Sequence, residues 1–112
     1  MKRKHLKESI RGHMSEWRVR LLLNDWTMHV IWYNGQIDGG HENAAALSTP
    51  DWRYMEATLS FNLQKMALLS KIEVERVVVH ELLHCLTSAA VKRVGSNHDE
   101  LLVTRLALIL VP

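Results

Sequence analysis

The chain lacks several features that would place it in large classes of protein. Its one cysteine, Cys85, cannot form an internal disulfide, which excludes the small secreted domains that depend on such bonds. No apolar run approaches the roughly 18 residues needed to cross a bilayer. The basic N-terminal segment is not followed by the apolar stretch of a signal peptide. We therefore expect a cytoplasmic protein with no membrane partner.

The composition is that of one folded domain. The 112 residues are 47% hydrophobic and 23% charged, values near the globular average, so extensive disorder is excluded. A chain of this length has room for one hydrophobic core. It shows no internal repeat, low-complexity tract or linker. We predict a single domain over residues 1–112.

Positive charge is concentrated near the N-terminus. Residues 1–20 hold seven Lys or Arg against Glu8 and Glu16, whereas the remaining residues hold seven basic and ten acidic groups. Such a segment could contact nucleic acid, for example through Lys2, Arg3, Lys4 and Lys7. A solvated helix face explains the same charges more simply. Nucleic acid is therefore a secondary candidate partner, and the sequence does not indicate an oligomeric state.

The first half of the chain predicts one helix followed by a small sheet. Apolar residues recur at helical spacing over about 5–24, namely Leu6, Ile10, Met14, Trp17 and Leu21. The sheet is expected over about 26–62. Its first strand runs from Trp26 to Tyr33, and its second is a short strand from Ala44 to Ser48, before a turn at 49–51.

The third strand has the clearest pattern. From Tyr54 to Asn62, apolar and polar residues alternate, which predicts one buried face and one wet face. We interpret it as an antiparallel strand near a sheet edge. The expected fold class is α+β, with an N-terminal helix, a three-stranded antiparallel sheet and two C-terminal helices.

Two capping signals place the C-terminal helices. Ser70 followed by Glu73 has the spacing of a capping box, which predicts a helix over about 71–90. Ser96 and Asp99 repeat that spacing after Gly95, before an apolar helix over about 97–111.

The string His80-Glu81-Leu82-Leu83-His84 lies within the first of these helices. Residues four apart on a helix differ by about 40° in direction and about 6 Å in rise, so both imidazoles can reach one metal ion. Glu81 can lean over the same ion as a general base. The opposite face of the helix is apolar and is expected to be buried: Val78, Val79, Leu82, Leu83 and Leu86.

A catalytic zinc site needs a third protein ligand. Glu100, one turn into the last helix, is the first candidate, and His98 is the second. Asp99 is discounted because it can serve as the partner of Ser96. A metal helix that continued through Val94 would carry the chain about 15 Å away from His84. We therefore predict that this helix ends near 88–91, or that 91–97 return in extended form.

These residues resemble the zincin metallopeptidases of the gluzincin type, in which an HExxH helix is followed by a glutamate ligand. Within that group the chain is similar to small phage-type, ImmA-like metallopeptidases, whose C-terminal ending resembles residues 106–112. The resemblance implies a Zn²⁺-dependent endopeptidase that hydrolyses peptide or protein substrates. It implies His80, His84 and Glu100 as metal ligands and Glu81 as general base. It also implies that the Tyr54–Phe61 strand pairs with an extended substrate.

Other hypotheses remain open from the sequence. His98, Tyr54 and Tyr33 are candidates for the group that stabilises the oxyanion. If His98 were the third ligand, the motif would be closer to SprT-like zincins. The chain could instead be a zinc-stabilised, weakly active or inactive binding module, or a metal-free α+β protein. Cys85 is expected to be a packed core thiol, and His29 and His41 have no partner at metal spacing.

Overall fold

The computed structural model describes residues 3–40, 43–94 and 96–112, with the backbone alone at 89–94 and 96–99. The predicted α+β class is confirmed, with an N-terminal helix, a small sheet and a C-terminal helix. None of the described helices is both long and apolar enough to span a membrane. The elements are α1 (Arg3–Arg20), β1 (Thr27–Tyr33), β2 (Ala46–Asp51), β3 (Glu56–Asn62), α2 (Leu63–Met66), α3 (Lys71–Val94) and α4 (Ser96–Leu110).

The apolar stripe of α1 is buried as the spacing predicts. Four of its residues lie in the core, namely Leu6, Ile10, Met14 and Trp17. The helix ends at Arg20 rather than near residue 24. Leu22 adopts a φ of 58°, a left-handed conformation that an α-helix cannot continue through. Leu21 still packs against the core from outside the helix.

The sheet is mixed, so the prediction of an antiparallel sheet is wrong. Its order is β1-β3-β2, and β3 is parallel to β1 but antiparallel to β2. Tyr33 and Ala46 both lie at the C-terminal end of β3, opposite Asn62 and Phe61 respectively. The connection 34–45 therefore has to cross only the end of β3, a span of about 10 Å. Because β1 ends at the same end of the sheet where β2 begins, these two strands run in opposite directions. Strand β3 is antiparallel to β2 and therefore parallel to β1.

Strand β3 is central, so its predicted edge position is also wrong. Ala57, Leu59 and Phe61 are buried as the alternation predicts. Ser60 and Asn62 are buried as well, so the opposite face is wet only in its first half. The strand begins at Glu56 because the preceding residues form a turn.

Strand β2 is longer than predicted and occupies the edge. It includes Pro50 and Asp51, which we expected in a turn. A proline fits here because its missing N–H can face the unpaired side of an edge strand.

Helix α3 begins at the predicted capping box and ends later than predicted. The Ser70 backbone N–H donates to Glu73 Oε1 (3.0 Å), and the Glu73 N–H donates to Ser70 Oγ (3.3 Å). The helix continues through Val94, so the prediction that it ends at 88–91 or gives way to extended chain is wrong. On its apolar face, four of the five predicted residues are buried, but Leu86 is half exposed. The side chains of Ser96 and Asp99 lie outside the described residues.

Candidate metal centre

Two histidines of α3 converge on one point. His80 and His84 lie one turn apart, and their Nε2 atoms are 3.2 Å from each other. Their side chains are 25% and 15% exposed, so both are partly shielded from solvent. The capping box starts α3, and the buried valines and leucines determine which face of the helix is turned to the core. The histidine face is thereby held outward.

Glu100 reaches these histidines from α4. Its Oε1 lies 2.9 Å from His80 Nε2 and 3.3 Å from His84 Nε2. The sequence led us to expect that a helix continuing through Val94 would carry the chain too far from His84, but the long α3 does not prevent the approach of Glu100. From His84 to Val94 the helix rises about 15 Å, and α4 returns about 6 Å before Glu100. The glutamate and imidazole side chains span the remainder.

The three groups fit a divalent metal ion. Their ligand atoms lie within 4.8 Å of one another. A tetrahedral Zn²⁺ with bonds of about 2.0–2.2 Å separates its ligand atoms by roughly 3.3–3.6 Å, so the observed pairs need only a small outward movement. Two imidazole nitrogens and a carboxylate oxygen form a donor set suited to zinc. His80, His84 and Glu100 could thus supply three ligands.

Glu81 lies beside this group and is buried. Only 7% of the surface of Glu81 is exposed to solvent. Burial raises the pKa of the Glu81 carboxyl above its ordinary value of 4.5, and Glu100 adds to that effect. The neighbouring His80 and His84 oppose it, as does a hydrogen bond from the Ser48 side chain. A carboxyl with a raised pKa can exchange a proton near neutral pH more readily than an exposed glutamate.

Ser48 is the site residue that the sequence did not reveal. It lies on β2, a strand that packs against α3, and its side chain hydrogen-bonds to Glu81. A serine in a short strand has no distinguishing signal in the sequence. Only the position of β2 next to α3 brings it to the carboxylate.

The predicted core thiol and the three candidates for oxyanion stabilisation lie in different parts of the structure. Cys85 is buried in the core as expected, and burial, followed by the charge of Glu81, raises the pKa of its thiol to about 12. Tyr54 is 75% exposed in the turn between β2 and β3, and Tyr33 ends β1 at the far edge of the sheet. The side chain of His98, predicted as an alternative third ligand or oxyanion-stabilising group, lies outside the described residues.

Two other histidines were expected to have no partner at metal spacing. His29 pairs with Glu56 across β1 and β3, with Nε2 and Oε1 2.6 Å apart on the exposed side of the sheet. His41 lies outside the described residues.

A second grouping of possible ligands joins α1 to α3. It consists of His13, Glu16 and Glu75, whose ligand atoms also lie within 4.8 Å of one another. Two of its members have protein partners: Glu75 accepts from Trp17 Nε1 at 2.8 Å, and Glu16 pairs with Arg20 at 2.9 Å. The spacing of His13 and Glu16 is visible in the sequence, but the contribution of Glu75 is not. Interhelical packing accounts for this grouping without a metal.

Comparison of the chain with protein-family models, with curated proteins and with solved structures finds no match.

Proposed function

We propose that this protein is a zinc-dependent metallopeptidase that hydrolyses peptide bonds. The observation that carries the proposal is the convergence of His80, His84 and Glu100 beside a buried glutamate. Two helices supply the three ligand atoms, and the general-base candidate follows the first ligand in the chain. The resemblance to gluzincins agrees with this arrangement.

Glu81 has the central chemical role in the proposal. Its carboxylate accepts a proton from the attacking water and returns that proton to the amine nitrogen that leaves. Burial raises the pKa of Glu81, which makes its carboxylate a stronger base than that of an exposed glutamate. Ser48 is a positioning residue, because its hydrogen bond orients the carboxylate. When bound to His80, His84 and Glu100, Zn²⁺ would polarise the substrate carbonyl and acidify the water.

Strand β2 is the candidate surface for the substrate backbone. The expectation that the Tyr54–Phe61 strand pairs with substrate is wrong, because β3 is already paired on both sides. Just before β2, Ala45 O accepts from Asn62 N at 2.8 Å, and within β2 Pro50 has no N–H. Backbone groups alternate along a strand, so those of Ala46 and Ser48 face the open edge. An extended peptide could pair there, next to Glu81.

A zinc-stabilised binding module is the second candidate function. One observation favours it: a metal held by His80, His84 and Glu100 would connect α3 to α4 and so stabilise the C-terminal half of the fold. Structural zinc sites are usually closed by a fourth protein ligand. Among the side chains that the structure describes, three can serve as ligands, and a catalytic site of this kind holds water in its fourth position.

Cleavage of an unstructured protein such as casein tests the proposal. The substitution Glu81→Gln should lower the rate by about 10²–10⁴-fold while zinc content is unchanged, because the amide cannot accept the proton. The exposed Glu8→Gln variant is a matched control and should retain full activity. Equal rates in the Glu81→Gln variant and the parent would contradict the proposed mechanism. Zinc binding without cleavage of any peptide would favour the binding module.

A further inference from the structure

The basic residues of α1 form an aligned surface. Arg3, Lys7 and Arg11 are spaced by four residues, so consecutive cations lie about 6 Å apart along the helix axis. Together with Lys4 they fall within about 100° around the helix. We call these four residues the cationic stripe. Of the two acidic residues of α1, Glu16 lies about 120° from the nearest edge of the stripe, whereas Glu8 borders it, about 40° from Lys4.

Contacts with the sheet hold the stripe in place. Lys7 Nζ lies 5.7 Å and the Arg11 guanidinium 5.2 Å from the ring centre of Trp32 on β1. Arg3 Nη1 donates to Asn34 Oδ1 at 2.7 Å. The side chains of Arg3, Lys4 and Arg11 are exposed, and Lys7 is half-buried. Three of the four cations, Arg3, Lys7 and Arg11, are thus held by contacts with β1 and the residue that follows it, and their partners in these contacts are a tryptophan ring and an amide oxygen rather than a carboxylate.

We propose that the cationic stripe binds the phosphate backbone of double-stranded nucleic acid without reading its sequence. A row of cations that extends about 12 Å, or about two helical turns, matches a linear array of phosphates. The rest of the molecule would add little attraction, because residues 21–112 carry a net charge of −3, from seven basic and ten acidic groups. Binding would therefore be local to α1. This inference does not depend on the metallopeptidase proposal.

Two other polyanionic partners fit the surface less well. Interfacial helices that bind membranes insert apolar side chains beside their cations. The one large exposed apolar residue of α1 is Val19, which lies outside the stripe. Proteins that bind single strands stack bases on open aromatic rings. The Trp32 ring already has Lys7 and Arg11 over it.

Fluorescence anisotropy with a short labelled DNA duplex of arbitrary sequence tests the proposal on the full chain. If all four cations contact phosphates, log K should fall with log salt with a slope of about −3.6. Affinity should then drop about a hundredfold between about 50 and 200 mM salt. A second duplex of unrelated sequence should bind equally well.

Variants distinguish the stripe from general charge. Lys7→Gln/Arg11→Gln should weaken binding and reduce the slope by about two. The control Lys71→Gln/Arg105→Gln removes the same charge from exposed positions on α3 and α4. It should leave the affinity for DNA and the slope of log K against log salt unchanged. Circular dichroism checks that each variant is folded.

Three results would overturn the proposal. One is the absence of duplex binding at low salt. Another is an equal loss of binding in the control variant, which would indicate dependence on net charge alone. The third is tighter binding to phosphatidylserine vesicles than to DNA, abolished by Lys7→Gln/Arg11→Gln, which would assign the stripe to membranes.

Discussion

Zinc should stabilise this protein against heat through the three converging ligands. His80, His84 and Glu100 are already close to the separations that a tetrahedral ion requires, so binding needs little rearrangement of α3 and α4. A ligand that binds only the folded chain stabilises it by mass action. At a free zinc concentration 100 times the dissociation constant, this effect is about 2.7 kcal/mol.

The chain length converts this free energy into a melting shift. For 112 residues the entropy of unfolding is about 0.24 kcal/mol/K. The Tm should therefore rise by about 11 °C when zinc is added to metal-free protein. If Glu100→Ala weakens zinc affinity about a hundredfold, the same zinc concentration would stabilise the variant by only about 0.4 kcal/mol, or about 2 °C.

Differential scanning calorimetry with and without zinc measures both shifts. Glu8→Ala, at an exposed position on α1, is the matched control and should keep the full shift. His13→Ala tests the second grouping and should keep it as well. A full zinc shift in Glu100→Ala would refute the assignment of Glu100 as a ligand. A shift that disappears in His13→Ala would instead locate the ion between α1 and α3.

Three further predictions concern the acidic groups and caps of α3. In metal-free protein, burial raises the pKa of Glu81, so the folded chain binds the carboxyl proton more tightly than the unfolded chain does. The free energy of unfolding therefore falls as the pH rises and Glu81 ionises. In urea denaturation, Glu81→Gln should therefore be more stable than the parent at pH 8. The difference should vanish at a pH below 4.5, the ordinary pKa of a glutamate. An equal difference at pH 8 and below pH 4.5 would contradict this prediction. Ser48→Ala should raise the pKa of Glu81 further, which moves the acid limb of the cleavage pH profile upward, and an unmoved limb would argue against the positioning role. Ser70→Ala should cost about 1 kcal/mol in urea denaturation through loss of the cap, whereas the exposed Ser15→Ala on α1 should cost less.

Local patterns predicted the N-terminal helix, the start of α3 and the closeness of the two histidines. The spacing of Leu6, Ile10, Met14 and Trp17 identified the buried face of α1, because a helix repeats its direction every three or four residues. His80 and His84 were predicted to converge for the same reason, and their Nε2 atoms do lie 3.2 Å apart. These features depend on residues close together in the chain.

Features that depend on the path of a connection were not predictable in this way. The alternation in β3 shows which residues face the core, but not the direction or number of neighbouring strands. That information lies in where the 34–45 connection crosses the sheet. The same holds for Ser48, which reaches Glu81 only because β2 packs against α3. The predicted end of α3 is wrong because backbone lengths alone omit the reach of the glutamate and imidazole side chains, which lets Glu100 approach His80 and His84 from α4.

The metal content of the purified protein tests the central claim most directly. Elemental mass spectrometry should be applied to the parent, His84→Ala and His13→Ala, each purified without added metal and then dialysed against a small excess of zinc. We expect about one zinc per chain in the parent and in His13→Ala, and almost none in His84→Ala, because His84 supplies one of three ligands. No zinc in the parent, or equal zinc in the parent and His84→Ala, would contradict the proposed metal centre.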